Sequence, residues 1–333
     1  MIRRWMYWFL VLAFIWIVAT RFSEITDFSF TLSQGRFKWV LIAVALQILH
    51  YLVSSASFRT AFAIVGVESR VRDLLPLLFG SVLVSVVAPS GGASCAALFV
   101  DHSARRGQSP GRTAAGVLLQ HISSVAAFIL ILSAGLVYLG TQRGLQLYQI
   151  TAALILLLAV SLISGVLVLA MRYPLLFRRL LGQLQRAINA LVCKFKDVTL
   201  ITDDWVEVHA SEFIEAGAAI IAQPRWLLST FAVLLVAHLV NMGVLYSLFL
   251  AFSQSIQIGP LVAGYAIGIL FLIISVTPQG VGVVEGIMPL TFASLGVPAS
   301  AATITVLAFR GLSLWLPLLV GFLLLRRSGV FRT

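Results

Sequence analysis

The sequence predicts an all-α membrane protein that crosses the bilayer several times. Of its 333 residues, 60% are hydrophobic and only 11% are charged, far from the balance of soluble domains. Apolar runs of about 20 residues, long enough to cross a bilayer as a helix, recur along the chain. Two of the runs are interrupted by a proline–glycine motif, which should break a helix. We therefore expect about six full spans and two broken, re-entrant hairpins in an inverted repeat.

The net charge of +11 excludes no class by itself, but its distribution is informative. The basic residues are dispersed over the short segments between apolar runs, as topogenic charges at a cytoplasmic face are. We therefore predict a membrane partner and no nucleic acid. The two cysteines, Cys95 and Cys193, make neither a disulfide framework nor a metal cluster. No cofactor and no metal are expected.

The full spans follow in order along the chain. The first covers 5–20; it has the charged start and apolar middle of a signal peptide, but no small-residue cleavage site precedes Arg21, so we interpret it as a retained helix. The other five are expected at 39–57, 114–139, 150–171, 226–252 and 300–325. We treat 1–333 as a single membrane domain.

The segment 172–225 is the longest polar stretch and is predicted to link the halves 1–171 and 226–333. Leucines recur at helical spacing from Leu176, with arginines and lysines between them, which favours a helix on the cytoplasmic membrane surface. Residues 203–222 are more acidic and should return as a second helix.

The broken segments are 74–100 and 259–296. The motif in the first runs from Ala88 to Ala93, and that in the second from Thr277 to Gly282. If both segments turn back, most basic residues lie on the cytoplasmic side; if both cross once, most lie outside. The positive-inside rule favours two hairpins that enter from opposite faces, with both termini cytoplasmic.

The breaks could bind an anion near the middle of the membrane. Backbone that is not helical at that depth should face protein or a watery cavity, and the helix that follows presents free N–H groups. The alternative is a structural role, in which the glycines of these motifs only allow the helices to pack closely. The candidate residues are Pro89, Ser90, Gly91, Gly92, Pro278, Gly280 and Gly282.

Glu285 and Arg310 are the clearest charges within apolar segments. We expect them to pair, or both to face the cavity, and Arg310 could hold a phosphate. The alternative is a purely structural role, in which Glu285 stabilises the start of a helix and Arg310 is its partner. Gln120 and His121 follow the first hairpin and could line the cavity. His50, His238 and Asn241 are interpreted as structural hydrogen-bonding residues.

At these residues the chain resembles the membrane (flippase) region of the lysylphosphatidylglycerol synthase/flippase family and its stand-alone relatives. The first set of residues that carries the resemblance is Pro89 to Gly92 with Arg105 to Pro110. The second set is Pro278 to Glu285 with Arg310, Pro317 and Gly321.

The resemblance implies a multi-pass flippase-like protein that moves a lipid. The family often carries an acid–base pair where this chain has Gln120 and His121, which leaves the substrate open. The chain ends soon after the last span, so we expect no soluble aminoacyl-transferring domain and no aminoacylation of lipid.

The expected function is therefore a flippase that moves a phospholipid or lipid-linked head group across the cytoplasmic membrane. The alternatives are an intramembrane lipid-modifying enzyme and a non-transporting partner of a cell-envelope lipid enzyme. The resemblance and composition leave a homodimer or an envelope-enzyme partner open.

Overall fold

The computed structural model describes residues 36–87, 93–142, 146–193, 203–275 and 277–327. Every regular element in these ranges is helical, and five helices are long and apolar enough to cross a membrane. The protein is thus an all-α polytopic membrane protein, as the composition predicts. The predicted first span, 5–20, lies outside the described residues, as does the first proline motif with Pro89, Ser90, Gly91 and Gly92.

Within the described ranges the chain forms twelve α-helices. They are α1 (Phe37–Ile64), α2 (Val71–Val87), α3 (Ala93–Arg105), α4 (Pro110–Gln142), α5 (Leu147–Arg172), α6 (Pro174–Cys193), α7 (Asp203–Ala222), α8 (Pro224–Ala251), α9 (Ile258–Ile274), α10 (Val283–Ser294), α11 (Ala299–Arg310) and α12 (Leu316–Arg327). A 3-10 turn at Pro278–Gly280 separates α9 from α10, and a π-helical turn at Gly311–Trp315 joins α11 to α12.

Helix α1 continues past its predicted end at residue 57. Phe58 and Phe62 beyond that point are buried, whereas Arg59 is exposed, so the apolar face continues while the basic side chain points away from the core. An isolated arginine on the outer face of a helix therefore does not mark its end.

Helices α9 and α10 form an antiparallel hairpin. A Cβ on Gly264 would overlap the ring of Phe292, and a Cβ on Gly268 would overlap the sulfur of Met288. With 17 and 12 residues, the helices are about 26 and 18 Å long, both shorter than a hydrocarbon core of about 30 Å. The chain therefore turns back between α9 and α10. That the hairpin enters and leaves by the same membrane face stays a prediction.

Helices α2 and α3 also fold back on each other. Leu77 of α2 belongs to the same buried cluster as Cys95 and Phe99 of α3. At the far end from the break, Arg106 Nη1 lies 3.1 Å from Asp73 Oδ2 and joins the two helices.

Each hairpin packs against a span of the opposite half. Helix α2 crosses α12 so closely that a Cβ on Gly321 would overlap the carbonyl oxygen of Phe79. Helix α9 packs on α4, where a Cβ on Gly135 would lie 2.8 Å from Ala266 Cβ. Helix α1 lies along α8. The two halves thus contact each other through both hairpins, whereas their relation as an inverted repeat stays a prediction.

The end of α2 lies close to the second break. Helix α2 contacts the turn Pro278–Gly280, and Val86, three residues before Pro89, belongs to an apolar cluster against which Val281 packs. The end of α2 and the second break therefore occupy one region of the molecule.

The linker helices attach at the end where α4 begins. The N–H of Gly111 donates to Glu212 Oε2 at 3.0 Å, and Arg112 Nη2 lies 3.1 Å from Glu215 Oε2. A carboxylate of α7 thus satisfies a free N–H in the first turn of α4 and favours its dipole.

Candidate functional site

The second break has three left-handed residues within four positions. Their φ angles are 52° at Gln279, 66° at Gly280 and 85° at Gly282. The glycines adopt this conformation freely, whereas a residue with a Cβ, such as Gln279, does so at a cost of roughly 1–2 kcal/mol. Other contacts must therefore hold Gln279 in place.

Arg310 supplies those contacts. Its Nη2 donates to the carbonyl oxygen of Gln279 at 2.8 Å, and its Nε donates to Glu285 Oε1 at 2.6 Å. The other carboxylate oxygen of Glu285 accepts the N–H of Gly282 at 2.8 Å. One ion pair thus holds the backbone at both ends of the turn. Arg310 is 3% exposed and Glu285 18%, so water screens the pair little.

Arg310 also faces a central cavity of about 740 Å³ between the two hairpins and the long spans. The cavity wall carries many polar side chains for a site among apolar helices. They include Gln47, His50, Gln120, His121, His238, Asn241 and Gln279. Such a cavity would solvate a polar group that hydrocarbon cannot.

The cavity lies at the middle of the spans. His50 is the fourteenth of 28 residues in α1, and His238 is the fifteenth of 28 in α8. Arg310 is the twelfth of 23 residues in the candidate span Ala299–Gly321. Three helices thus bring their central polar residues to one depth.

Two of the wall histidines have a defined tautomer. His50 Nδ1 lies 3.0 Å from the carbonyl oxygen of Ala237, and His121 Nδ1 lies 3.1 Å from that of Val117. Because a carbonyl oxygen can only accept, Nδ1 carries the proton in both rings. Nε2 of each neutral ring is then an acceptor.

His238 has a different arrangement. Its Nδ1 lies 3.0 Å from the hydroxyl oxygen of Tyr265, to which Asn241 Nδ2 donates at 3.4 Å. The hydroxyl accepts from Asn241 and can donate its own hydrogen to His238, which places the proton of that ring on Nε2. Tyr265 is fully buried, so this network fixes the wall between α8 and α9.

Three buried oxygen atoms of wall residues have no hydrogen-bond partner among the described residues. They are Gln47 Oε1, Asn241 Oδ1 and Ser313 Oγ. A buried polar atom without a partner costs about 1–3 kcal/mol. Water or a polar ligand in the cavity would remove that cost. In the described ranges no group of three or more His, Cys, Asp or Glu side chains could hold a metal ion.

The sequence profile described as the lysylphosphatidylglycerol synthase TM region matches residues 5–321. The chain belongs to this family. It is also similar to the UPF0104 membrane protein MJ1595 of Methanocaldococcus jannaschii, with 21% identity over 289 residues, 86% of this chain and 83% of that protein. The family match covers both broken segments and all five described candidate spans.

In this member of the lysylphosphatidylglycerol synthase TM region family, the residues predicted for the site separate into three groups. Gln120, His121, Pro278 and Arg310 lie on the cavity wall. Glu285 lies behind Arg310, and Gly280 and Gly282 shape the break. Pro89, Ser90, Gly91 and Gly92 lie outside the described residues.

Sequence reasoning missed part of the wall. It interpreted His50, His238 and Asn241 as structural, and it did not single out Gln47, Tyr265 or Gln279. One signal could have found the two histidines: each stands at the centre of its span, where a polar residue is most costly.

Proposed function

We propose that this family member moves a phospholipid, or another lipid with a phosphate-bearing head group, from one leaflet of the cytoplasmic membrane to the other. The observation that carries the proposal is the polar cavity at the middle of the spans, with Arg310 on its wall and a broken helix beside it. The acyl chains would stay in the lipid while the head group passes through the cavity.

Arg310 is the residue proposed to hold the phosphate. Two of its five N–H groups donate to Gln279 and Glu285, and the remaining groups can donate to a phosphate oxygen. Since Glu285 balances its charge, Arg310 would select the ligand mainly by hydrogen bonding. A ligand held in this way can also leave again, as transport requires.

The distribution of basic residues supports the orientation in the membrane. Arg36 lies where α1 begins, beside the end of α8, because its N–H donates to the carbonyl oxygen of Ala251. The opposite end carries many more of the described arginines: Arg59, Arg70, Arg72, Arg105, Arg106, Arg112, Arg178, Arg179 and Arg186. By the positive-inside rule this second end would be the cytoplasmic one, in keeping with the sequence-based expectation of cytoplasmic termini. In this orientation the proposed re-entrant hairpins would enter from opposite faces of the membrane.

Lipid movement can be measured in proteoliposomes that contain NBD-labelled phosphatidylglycerol in both leaflets. Dithionite added outside bleaches only the outer leaflet unless the protein moves label outward. We expect bleaching to exceed the protein-free level by far with the wild-type chain, and to fall toward it with Arg310→Ala. The matched control is Asp101→Asn, which alters an exposed i,i+4 pair with Arg105 and should bleach like wild type.

Two outcomes would contradict the proposal. Bleaching at the protein-free level with well-folded wild-type protein would favour a non-transporting partner of an envelope enzyme. A new lipid species in a mass-spectrometric profile of the same vesicles would favour the lipid-modifying enzyme.

A further inference from the structure

We propose that binding of the anionic head group in the central cavity is linked to proton uptake by His50 and His121, so that the proton is the coupling ion. The inference rests on the proposed function and adds its energy source. Both rings lie on the cavity wall, on α1 and α4.

The hydrogen bonds leave one position on each ring for an added proton. Nδ1 of His50 and of His121 is committed to a backbone carbonyl. A second proton therefore binds at Nε2 and turns that atom from an acceptor into a donor. His238 differs from them, because a proton at its Nδ1 would require the Tyr265 hydroxyl to turn its hydrogen away and accept instead, at the cost of the hydrogen bond that the hydroxyl now donates.

None of the other charged and titratable groups on the wall supplies an unpaired positive charge. They are Tyr51 on α1, Cys95 on α3, His238 on α8, Tyr265 on α9 and Arg310 on α11. Helix α2 contributes only hydroxyl and apolar side chains to the wall, and the turn after α9 contributes hydroxyls, Pro278 and Gln279. Among the described wall residues none is a carboxylate, and the one permanent cation is already paired with Glu285.

A phosphate that enters this site brings a negative charge that no unpaired cation balances. An uncompensated charge inside a membrane protein is costly. A proton on His50 or His121 supplies both the balancing charge and a new N–H donor. By thermodynamic reciprocity the bound anion favours the protonated ring as much as the protonated ring favours the anion.

Each transport cycle takes up and releases the same number of protons. On loading, the Nε2 lone pair forms an N–H bond with a proton taken from the adjacent aqueous phase. On release of the head group at the other face, the ring returns that proton to the water there. A proton gradient would then drive the lipid in the direction in which protons flow.

Calorimetry can count these protons. Dihexanoyl phosphatidylglycerol is titrated into the purified full chain in buffers of different ionisation enthalpy, at pH values from 6 to 8. The dependence of the binding enthalpy on the buffer gives the number of protons taken up. For wild type we expect a number clearly above zero and no greater than two, and an affinity that rises by up to about tenfold per linked proton for each pH unit lowered.

The variants assign the protons to residues. His50→Gln and His121→Gln keep a donor for the carbonyl but bind no proton, and each should lower the count; the double variant should bring it close to zero and flatten the pH dependence. The matched control is His102→Gln, a histidine of α3 that is not on the cavity wall, and its proton count should equal that of wild type.

Failure of the inference is distinguishable from failure of the proposed function. Binding and NBD-lipid movement with no proton uptake in wild type would overturn proton coupling and leave the flippase intact. A wild-type count that persists in His50→Gln and His121→Gln would overturn the assignment. Absence of both binding and lipid movement at every pH would overturn the flippase and the coupling together.

Discussion

Arg310 Nε lies 2.6 Å from Glu285 Oε1, and through this pair α11 holds the turn that separates α9 from α10. The two residues are 25 positions apart on adjacent elements. The pair therefore joins the hairpin to the following span at the depth of the cavity.

Loss of either partner should impair transport more than folding. Glu285→Gln removes the charge that balances Arg310, and Arg310→Ala frees the carbonyl of Gln279 as well. Breaking a buried pair costs roughly 3–5 kcal/mol, and the partial exposure of Glu285 should reduce that figure. We expect both variants to remain folded in detergent but with strongly reduced bleaching of NBD-lipid. Wild-type bleaching in well-folded variants would remove the pair from the mechanism.

Gly321 should tolerate no side chain. Gly321→Ala places a Cβ against the carbonyl oxygen of Phe79. Because this oxygen belongs to the backbone, no side-chain rotation can relieve the overlap, and α2 and α12 must move apart. We expect the free energy of unfolding to fall by about 1–3 kcal/mol, which would be measured as a lower unfolding temperature in detergent. Gly165→Ala in α5 meets nothing within 4 Å and should be neutral or slightly stabilising. Equal effects of the two substitutions would contradict the close crossing.

The α9–α10 hairpin can be tested by a double-mutant cycle. Gly264→Ala should destabilise the protein because its Cβ overlaps the Phe292 ring, and Phe292→Ala should destabilise it by leaving a cavity. In the double variant the new methyl group occupies part of that space. The combined loss should therefore be smaller than the sum of the single losses, and strict additivity would mean that the two helices do not touch there.

Tyr265→Phe tests the network on the α8–α9 wall. Removal of the hydroxyl leaves His238 Nδ1 and Asn241 Nδ2 without that partner. We expect a loss of stability of about 1–3 kcal/mol, measured by thermal unfolding. Tyr246→Phe, at an exposed tyrosine of α8, should have little effect.

The orientation in the membrane can be tested with single cysteines in a Cys95→Ala, Cys193→Ala background. Arg105→Cys lies at the end rich in arginine, and Ser255→Cys lies between α8 and α9 at the opposite end. In intact cells an impermeant maleimide should label only Ser255→Cys. Labelling of Arg105→Cys alone would reverse the orientation.

Much of this architecture was predictable because hydrocarbon places strict demands on a sequence. Spans must be long and apolar, so α4 and α8 stood out, and proline with glycine marked the break at Pro278. The pairing of Glu285 with Arg310 followed from the cost of an isolated charge in lipid.

The rest depends on tertiary contacts that leave no local pattern. Residues past Arg59 in α1 and in the π-helical turn after Arg310 are buried against neighbouring helices, and no local pattern marks either feature. The left-handed Gln279 depends on an arginine 31 positions away. The wall formed by Gln47, His50 and His238 exists only because three helices align their centres.

The contact between α2 and α12 has a consequence for how the protein is made. A ribosome delivers α2 to the membrane long before α12, the last described helix, whereas the surface around Phe79 is completed only by Gly321. Until α12 is inserted, the surface of α2 around Phe79 must contact lipid or an insertion factor instead. The contact between α2 and α12 can form only after α12 has entered the membrane.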